Sequence, residues 1–310
     1  MTQLENEQLK ASVREFWNAQ SCDTQVAHST KFSKEYFEEI ERFRYFDQPF
    51  IHSFAQFTRY RDKKVLEVGF GAGTDFIQFL RAGAHVSGVD LTEEALMNLR
   101  NRIAAYELPQ PDSIQVADAE RLPFPSNSFD LGYSFGVLHH SPNTVKAIGE
   151  LVRVVKPRGE VKLMLYNRRS IYVINLWIKH ALLRGKLWKS LRWVLWNHLE
   201  SIGTKGYTRK ELKRILSDLG MEQIAIHTEI TAADYLSSSA FPPLNRLYRC
   251  WLRTTGPRFT WHPRDYVARV NSPDTPVIAL QGMQPRASNR ECFTGNRLGF
   301  FHCVTAVKSG

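Results

Sequence analysis

Eleven residues constrain this chain more than any others: Lys64-Val65-Leu66-Glu67-Val68-Gly69-Phe70-Gly71-Ala72-Gly73-Thr74. A short apolar run ends in an acid, and glycine then recurs at every second position. A helical pattern follows over residues 75–81. The reading is a buried strand, a tight turn and a helix N-terminus. In α/β sheets such a turn lies at the carboxyl edge of the strand, where ligands bind. Glycines there let a ligand lie against bare backbone.

The ligand is narrowed by spacing. A P-loop needs Gly-Lys-Ser/Thr after the glycines, and Gly73-Thr74-Asp75 does not supply it. A dinucleotide fingerprint, Gly-x-Gly-x-x-Gly, places its third glycine at position 74, which is Thr. Neither phosphate ligand accounts for Glu67. A carboxylate ahead of the loop repels a pyrophosphate and suits a cation. S-adenosylmethionine is such a ligand, with a sulfonium, an ammonium and no phosphate. The run from Glu67 to Gly73 resembles motif I of the class I S-adenosylmethionine-dependent methyltransferases.

The rest of the chain frames this stretch. Residues 1–62 read as helical. Val13, Phe16 and Trp17 line one face, and Phe32, Tyr36, Phe37, Ile40 and Phe43 recur at helical spacing. Pro49 suits the first turn of a helix bearing Phe50, Phe54 and Phe57. These aromatics read first as packing against the domain that follows. The functional alternative is a lid over the ligand, touched by Phe16, Trp17 and Tyr36. From Lys64 strand and helix alternate, as in a parallel sheet. Strands are expected over 64–68, 86–90, 113–117, 129–136, 160–166 and 221–230. Lys156-Pro157-Arg158-Gly159 reads as a turn ahead of the fifth strand. Thr208 and Glu211 form a capping box for a helix ending at Gly220. The last strand fits 299–307 best, with 259–270 as a competitor. On the first choice, 231–298 is a large insertion, partly without order.

Three acids close three successive strands: Glu67, Asp90 and Asp118. Each alone has a structural explanation as a helix cap. Together they face one sheet edge. Asp90 stands at the spacing where an acid meets a ribose hydroxyl, and Asp118 would then face the adenine amino group. The resemblance now extends, in order, through Gly88-Val89-Asp90, Ala117-Asp118-Ala119-Glu120-Arg121-Leu122-Pro123-Phe124, Phe129-Asp130, Gly136-Val137-Leu138-His139-His140 and residues 151–159. It is nearest to the small-molecule branch that includes the ubiquinone/menaquinone C-methylases and covers roughly residues 63–167. It implies a Rossmann-like α/β fold: a seven-stranded, mostly parallel sheet with the last strand antiparallel. A helical N-terminal lid and helical cap insertions are expected around it. It also implies that Glu67, Gly69, Gly71 and Gly73 hold the methionine part and that Asp90 binds the ribose. Leu91 then packs on the adenine, Asp118 and Ala119 read it, and Phe135 and Gly136 line the floor near the sulfonium.

The domain organisation follows: lid 1–62, cofactor-binding core 63–168, cap 169–206, core continued 207–230, insertion 231–298, last strand and tail 299–310. Net charge is +10, and residues 168–214 hold twelve Lys/Arg against two acids, equal to the whole surplus. Within the cap, Trp177, Trp188, Trp193 and Trp196 interleave with Lys179, Arg184, Lys186, Lys189 and Arg192. A cap with a solvated basic face is the first reading. Peripheral membrane contact through 171–199 is the second, and contact with RNA or protein the third.

His139 and His140 follow the fourth strand, where a base for the acceptor would stand. Tyr166, Asn167 and Tyr172 are the candidates for touching the acceptor. No Asp/Asn-Pro-Pro-Tyr motif follows the fourth strand, and Phe241-Pro242-Pro243-Leu244 lies elsewhere. No cysteine suits pyrimidine C5 chemistry. A small, apolar or aromatic acceptor is therefore expected, methylated on O, N or C. A non-catalytic cofactor-binding module is disfavoured by the complete acids and glycines. Cys22, Cys250, Cys292 and Cys303 have no CxxC spacing, so neither a metal site nor a disulfide framework is expected. A reducing, cytoplasmic setting is the expectation, since residues 1–10 are polar and no apolar stretch has membrane-spanning length.

Overall fold

In the computed structural model, the described residues are 2–229 (except 20, 22 and 49) and 298–310, with a few positions between. The core is a seven-stranded sheet in the order β3-β2-β1-β4-β5-β9-β6. Its strands are β1 Lys64–Val68, β2 His85–Asp90, β3 Ser113–Val116, β4 Phe129–Phe135, β5 Val155–Tyr166, β6 Met221–Glu229 and β9 Phe301–Lys308. β1 pairs in parallel with β2 and β4, β2 with β3, and β4 with β5. β9 lies between β5 and β6 and runs antiparallel to both. The strand order reverses beside β1, so the glycine loop leaves the sheet where its two halves diverge and a crevice opens.

The last strand is thus the one expected from 299–307. The described part of the competitor, β7 Arg258–Trp261, pairs instead with β8 Arg290–Phe293 in a separate two-stranded ribbon. The expected lack of order within 231–298 falls largely on residues outside the described ones, as does Pro49.

One expectation is corrected. Residues 156–159 do not form a free turn; they lie inside β5. Phe129 faces Val155, but Leu131 already faces Glu160, so the ladder absorbs the extra residues as an irregularity. Arg158 takes φ +64° there. A Cβ at Gly159 would stand 2.9 Å from the Lys156 carbonyl oxygen and 3.0 Å from that of Asp130. Turn-forming letters therefore mark a bulge.

The helices begin where the sequence offers an oxygen to the first free N–H groups. Thr92 accepts from Ala95 N ahead of α5 Glu93–Ala105, and Asn143 from Lys146 N ahead of α6 Thr144–Val154. Ser170 caps α7 Ile171–His180, Ser190 caps α8 Leu191–His198, and Thr208 with Glu211 completes the capping box of α9 Arg209–Asp218. The N-terminal region comprises α1 Gln3–Ala19, α2 Lys34–Asp47 and α3 Phe50–Ala55; α4 Thr74–Arg81 follows the glycine loop. One sheet face buries Phe76, Phe79 and Leu99 with Phe50 and Phe57; the other buries Ile148, Leu151, Leu212 and Leu216. The cap helices join the first core through Val173, Val194 and Leu195, against Phe300 and Phe301.

Candidate active site

A cavity of about 260 Å³ opens at the carboxyl edge of β1, β2 and β4. Glu67, Gly69, Gly71, Asp90, Leu91, Asp118, Ala119, Phe135 and Gly136 all line it. Gly73 does not; it stands at φ +73° as the N-cap of α4, where a Cβ would meet Leu99 Cδ1 at 2.6 Å. Gly69 has φ +81°, and a Cβ there would meet Val137 Cγ2 at 2.2 Å. Only glycine satisfies both demands.

Glu67 is fully buried, and its Oε2 has no hydrogen-bond partner among the described residues. Burial raises its carboxyl well above the ordinary range, reinforced by the negative charge of Asp75 nearby. Burial also raises Asp90, against the pull of its hydrogen bonds. Asp90 Oδ2 accepts from Gly71 N at 3.0 Å, and Oδ1 from Thr92 N and Oγ1 at 3.0 and 2.9 Å. The glycine loop and the second acid are thus locked together. An unpartnered buried carboxylate oxygen beside bare glycine backbone fits a cationic, phosphate-free ligand.

The loop is braced from behind by residues the sequence did not single out. Asp75 accepts two bonds from Arg44, at 3.1 and 2.8 Å, one from Tyr45 at 3.0 Å and one from Tyr133 at 2.8 Å. Burial opposes ionisation of Asp75, but Arg44 and these donors outweigh it and hold the carboxyl below its ordinary value. Fully buried Arg102 donates to Ala72 O at 2.9 Å, Thr74 Oγ1 at 2.7 Å and Glu41 Oε2 at 3.0 Å. Arg44 and Glu41 belong to α2, 23 or more residues upstream of the loop, so no local pattern announces them.

The N-terminal helix closes one side. Lys10, Val13 and Trp17 of α1 line the cavity, whereas Tyr36 packs with Phe37 and Ile40 away from it, and Phe16 is not on its wall. Lys10 Nζ lies 2.7 Å from Asp118 Oδ2 and 3.4 Å from Glu120 Oε2. Burial lowers the Lys10 ammonium, but these two carboxylates outweigh it and raise it. Asp118 Oδ1 accepts from Glu120 N at 2.8 Å. The acid expected to face adenine therefore already holds a cation from α1.

The far end of the cavity joins β4, β5 and the cap. His140, Tyr166, Met164, Phe301 and Glu200 line it. His139 is fully buried and off the cavity wall; burial drives its ring toward the neutral form, with His140 and Lys205 adding to the shift. Of the two expected acceptor contacts beside Tyr166, neither reaches the cavity. Asn167 turns back, donating to Gly299 O at 2.8 Å and accepting from Arg169 N at 3.0 Å. Tyr172 packs edge-on against Phe300 at 4.9 Å. Both follow the end of β5, where the chain bends into α7 and takes their side chains with it.

Glu200, past the end of α8, is another residue that no sequence pattern announces. The Tyr166 hydroxyl donates to both its oxygens at 2.9 Å, and His140 Nε2 lies 3.3 Å from Oε2. His140 Nδ1 lies 3.0 Å from both Thr204 Oγ1 and Ser201 Oγ. The Thr204 hydroxyl donates to the Ser201 carbonyl at 2.6 Å, so it meets Nδ1 as an acceptor. On that assignment the ring proton sits on Nδ1, and Nε2 faces Glu200 Oε2 with no proton between them, so the contact becomes an ion pair only when Nε2 takes one up. His139, His140 and Glu200 bring ligand-type atoms within 4.8 Å of one another, a spacing a small cation would fit. Both Glu200 oxygens are engaged by Tyr166, which favours proton handling instead.

Residues 66–163 match the family described as a methyltransferase domain. A protein of Haemophilus influenzae described as uncharacterized is 41% identical over 102 residues, 32% of this chain and 41% of that one. Tocopherol O-methyltransferase of Arabidopsis thaliana is 34% identical over 110 residues, 35% of this chain and 32% of that one. The chain thus spans less than half the length of these relatives. A solved structure of magnesium protoporphyrin IX methyltransferase from Synechocystis PCC 6803, with bound SAH, is similar at a TM-score of 0.55 and 13% identity. That likeness covers 97% of this chain and 100% of that one and is one of fold.

Proposed function

We propose that residues 66–163, which match a methyltransferase domain, form a class I S-adenosylmethionine-dependent methyltransferase domain, and that the protein methylates a small apolar or aromatic molecule bearing a hydroxyl. The carrying observation is one continuous cavity with Glu67, Asp90 and the glycine backbone at one end and His140, Glu200 and Tyr166 at the other.

S-adenosylmethionine, when bound, supplies the electrophilic methyl group on a sulfonium. Glu67 offers its free oxygen to the cationic end, Gly69 and Gly71 offer backbone, and Asp90 offers its remaining lone pairs to ribose hydroxyls. Because the leaving thioether is neutral, positioning and exclusion of water can supply most of the rate. A base matters only where the acceptor atom must lose a proton. His140 Nε2 is placed to take that proton, and Glu200 to stabilise the imidazolium. A base at the acceptor end favours oxygen as the methylated atom. Trp17, Met164 and Phe301 make that end apolar, which suits an aromatic or isoprenoid-like body.

The test has two stages. Calorimetry with S-adenosylmethionine should give binding heat that the Asp90→Ala variant loses; no heat with the wild-type protein overturns the cofactor assignment. Labelled cofactor is then offered with phenolic lipid extracts and with total RNA. Label in the phenolic fraction is expected. Label mainly in RNA would overturn the acceptor class.

A further inference from the structure

The cap carries an ordered, solvent-facing apolar tip. Residues 182–188 are all exposed, and four of the seven are large and apolar: Leu182 at 42%, Leu183 at 65%, Leu187 at 60% and Trp188 at 75%. The other exposed large apolar residues among the described ones stand singly along the chain. Isolated apolar residues on a surface are ordinary, but a contiguous cluster marks a contact site. The tip is held by its own bonds. Arg184 N and Lys186 N both donate to Ala181 O, at 3.1 and 2.8 Å, and Gly185 N donates to Leu182 O at 3.1 Å. Trp177 Nε1 donates to Lys189 O at 2.6 Å and closes the base. Gly185, at φ +66°, makes the reversal, with open space where a Cβ would point. The leucines and Trp188 are therefore presented by a formed structure.

The charge around them has one sign. Lys179, Arg184 and Lys186 are exposed beside the apolar residues, and residues 171–199 contain no Asp or Glu. We infer that this tip is a docking surface for an anionic lipid membrane, with Leu183, Leu187 and Trp188 entering the interface and Lys179, Arg184 and Lys186 meeting lipid phosphates. Three considerations select lipid. Leu and Trp beside Lys and Arg are the composition of interfacial anchors. Lysine is depleted in protein–protein interfaces. Three of the tip's four large apolar side chains are aliphatic, and Trp188 alone offers one stacking surface where single-stranded RNA uses aromatic platforms for successive bases. Among the described residues no helix is long and apolar enough to cross a membrane, so the contact is with its surface. The inference does not depend on methyl transfer.

The experiment is co-sedimentation of the full chain with vesicles of phosphatidylcholine alone and of phosphatidylcholine with phosphatidylglycerol. Stronger binding to the anionic vesicles is expected, declining with salt. The double variant Leu183→Glu/Trp188→Glu should lower that binding roughly tenfold or more. Arg184→Gln/Lys186→Gln should remove the preference for anionic lipid. All four positions are exposed, so melting temperature and the heat of S-adenosylmethionine binding should stay at wild-type values. Failure of cofactor binding in the wild type would thus strike the methyltransferase reading and leave this one standing. Equal sedimentation of wild type and the Leu183/Trp188 variant would overturn it. So would absence from both vesicle types, or a dimer of this chain that the same variant abolishes.

Discussion

Glu67 lies buried near the end of β1, on the wall of the cavity beside the glycine loop. Its carboxyl is raised by burial and then by Asp75, and one of its oxygens is unpartnered. An acid raised in the fold stabilises it fully below the unfolded-state value, and that contribution is lost as pH rises through the raised value. A cation placed beside it reverses the preference and favours the ionised form. S-adenosylmethionine affinity should therefore climb as pH rises above the ordinary carboxylate range, with net proton release on binding. Calorimetry in two buffers of different ionisation enthalpy reads that release, and Glu67→Gln should abolish it. At the other end of the cavity, Glu200→Gln removes the charge that would stabilise a protonated His140 while keeping the Tyr166 contact. It should lower kcat by roughly 100-fold or more with little change in cofactor affinity, in line with general-base contributions. An equal loss of cofactor binding would place Glu200 in cavity architecture instead.

At the scale of elements, the bracing helix α2 matters as much as the glycine loop. Arg102 and Glu41 tie α5 to α2 beneath the loop, and Arg81 Nη1 also reaches Glu41 Oε1 at 2.8 Å. Removing one partner of a buried pair leaves an uncompensated charge. Arg102→Met should cost about 3 kcal/mol, read as a lower urea midpoint at unchanged slope. Helix α1 is held differently. Its ammonium at Lys10 meets Asp118 at the cavity rim, where both side chains keep some contact with water. Lys10→Ala should therefore cost about 1 kcal/mol, less than breaking the fully buried pair. If α1 is a lid, the same variant raises both association and dissociation rates of S-adenosylmethionine in stopped flow. Unchanged rates would make α1 a fixed wall.

Across the whole molecule, residues far apart in the chain meet at one sheet edge. Lys10, Glu67, Asp90, Asp118, Tyr166, Glu200 and Phe301 share one cavity. The segment matched by the family spans 66–163, yet Lys10 and Trp17 precede it, and Tyr166, Glu200 and Phe301 follow it. Deleting residues 1–48 should thus do more than open the cavity. It removes Arg44 and Glu41 and leaves buried Asp75 and Arg102 without their oppositely charged partners. Such a fragment should lose its cooperative thermal transition, as seen by calorimetry or near-ultraviolet dichroism. A fragment that melted like the full chain would show that the brace is dispensable.

What the sequence determined by itself is local and periodic. Glycines at every second position after a buried acid require a strand, a left-handed loop and a helix. Acids closing successive strands converge because parallel strands share a carboxyl edge. The capping box of Thr208 and Glu211 was legible because a cap acts within three or four residues. The tertiary structure alone decided which of two adjacent histidines faces the cavity, since one residue's step along the short 3₁₀ helix Leu138–His140 puts His140 on the wall and His139 behind it. It alone turned Asn167 and Tyr172 away, made 156–159 a bulge instead of a turn, and brought Glu200 to Tyr166. Those outcomes depend on how the chain returns after 26 or more residues (Val155 against Phe129), and side-chain spacing carries no signal at that distance. The end of the cavity proposed for the cofactor is written at three strand ends, Glu67, Asp90 and Asp118, whose spacing is regular enough to read. The acceptor side is assembled by folding from segments that share no pattern.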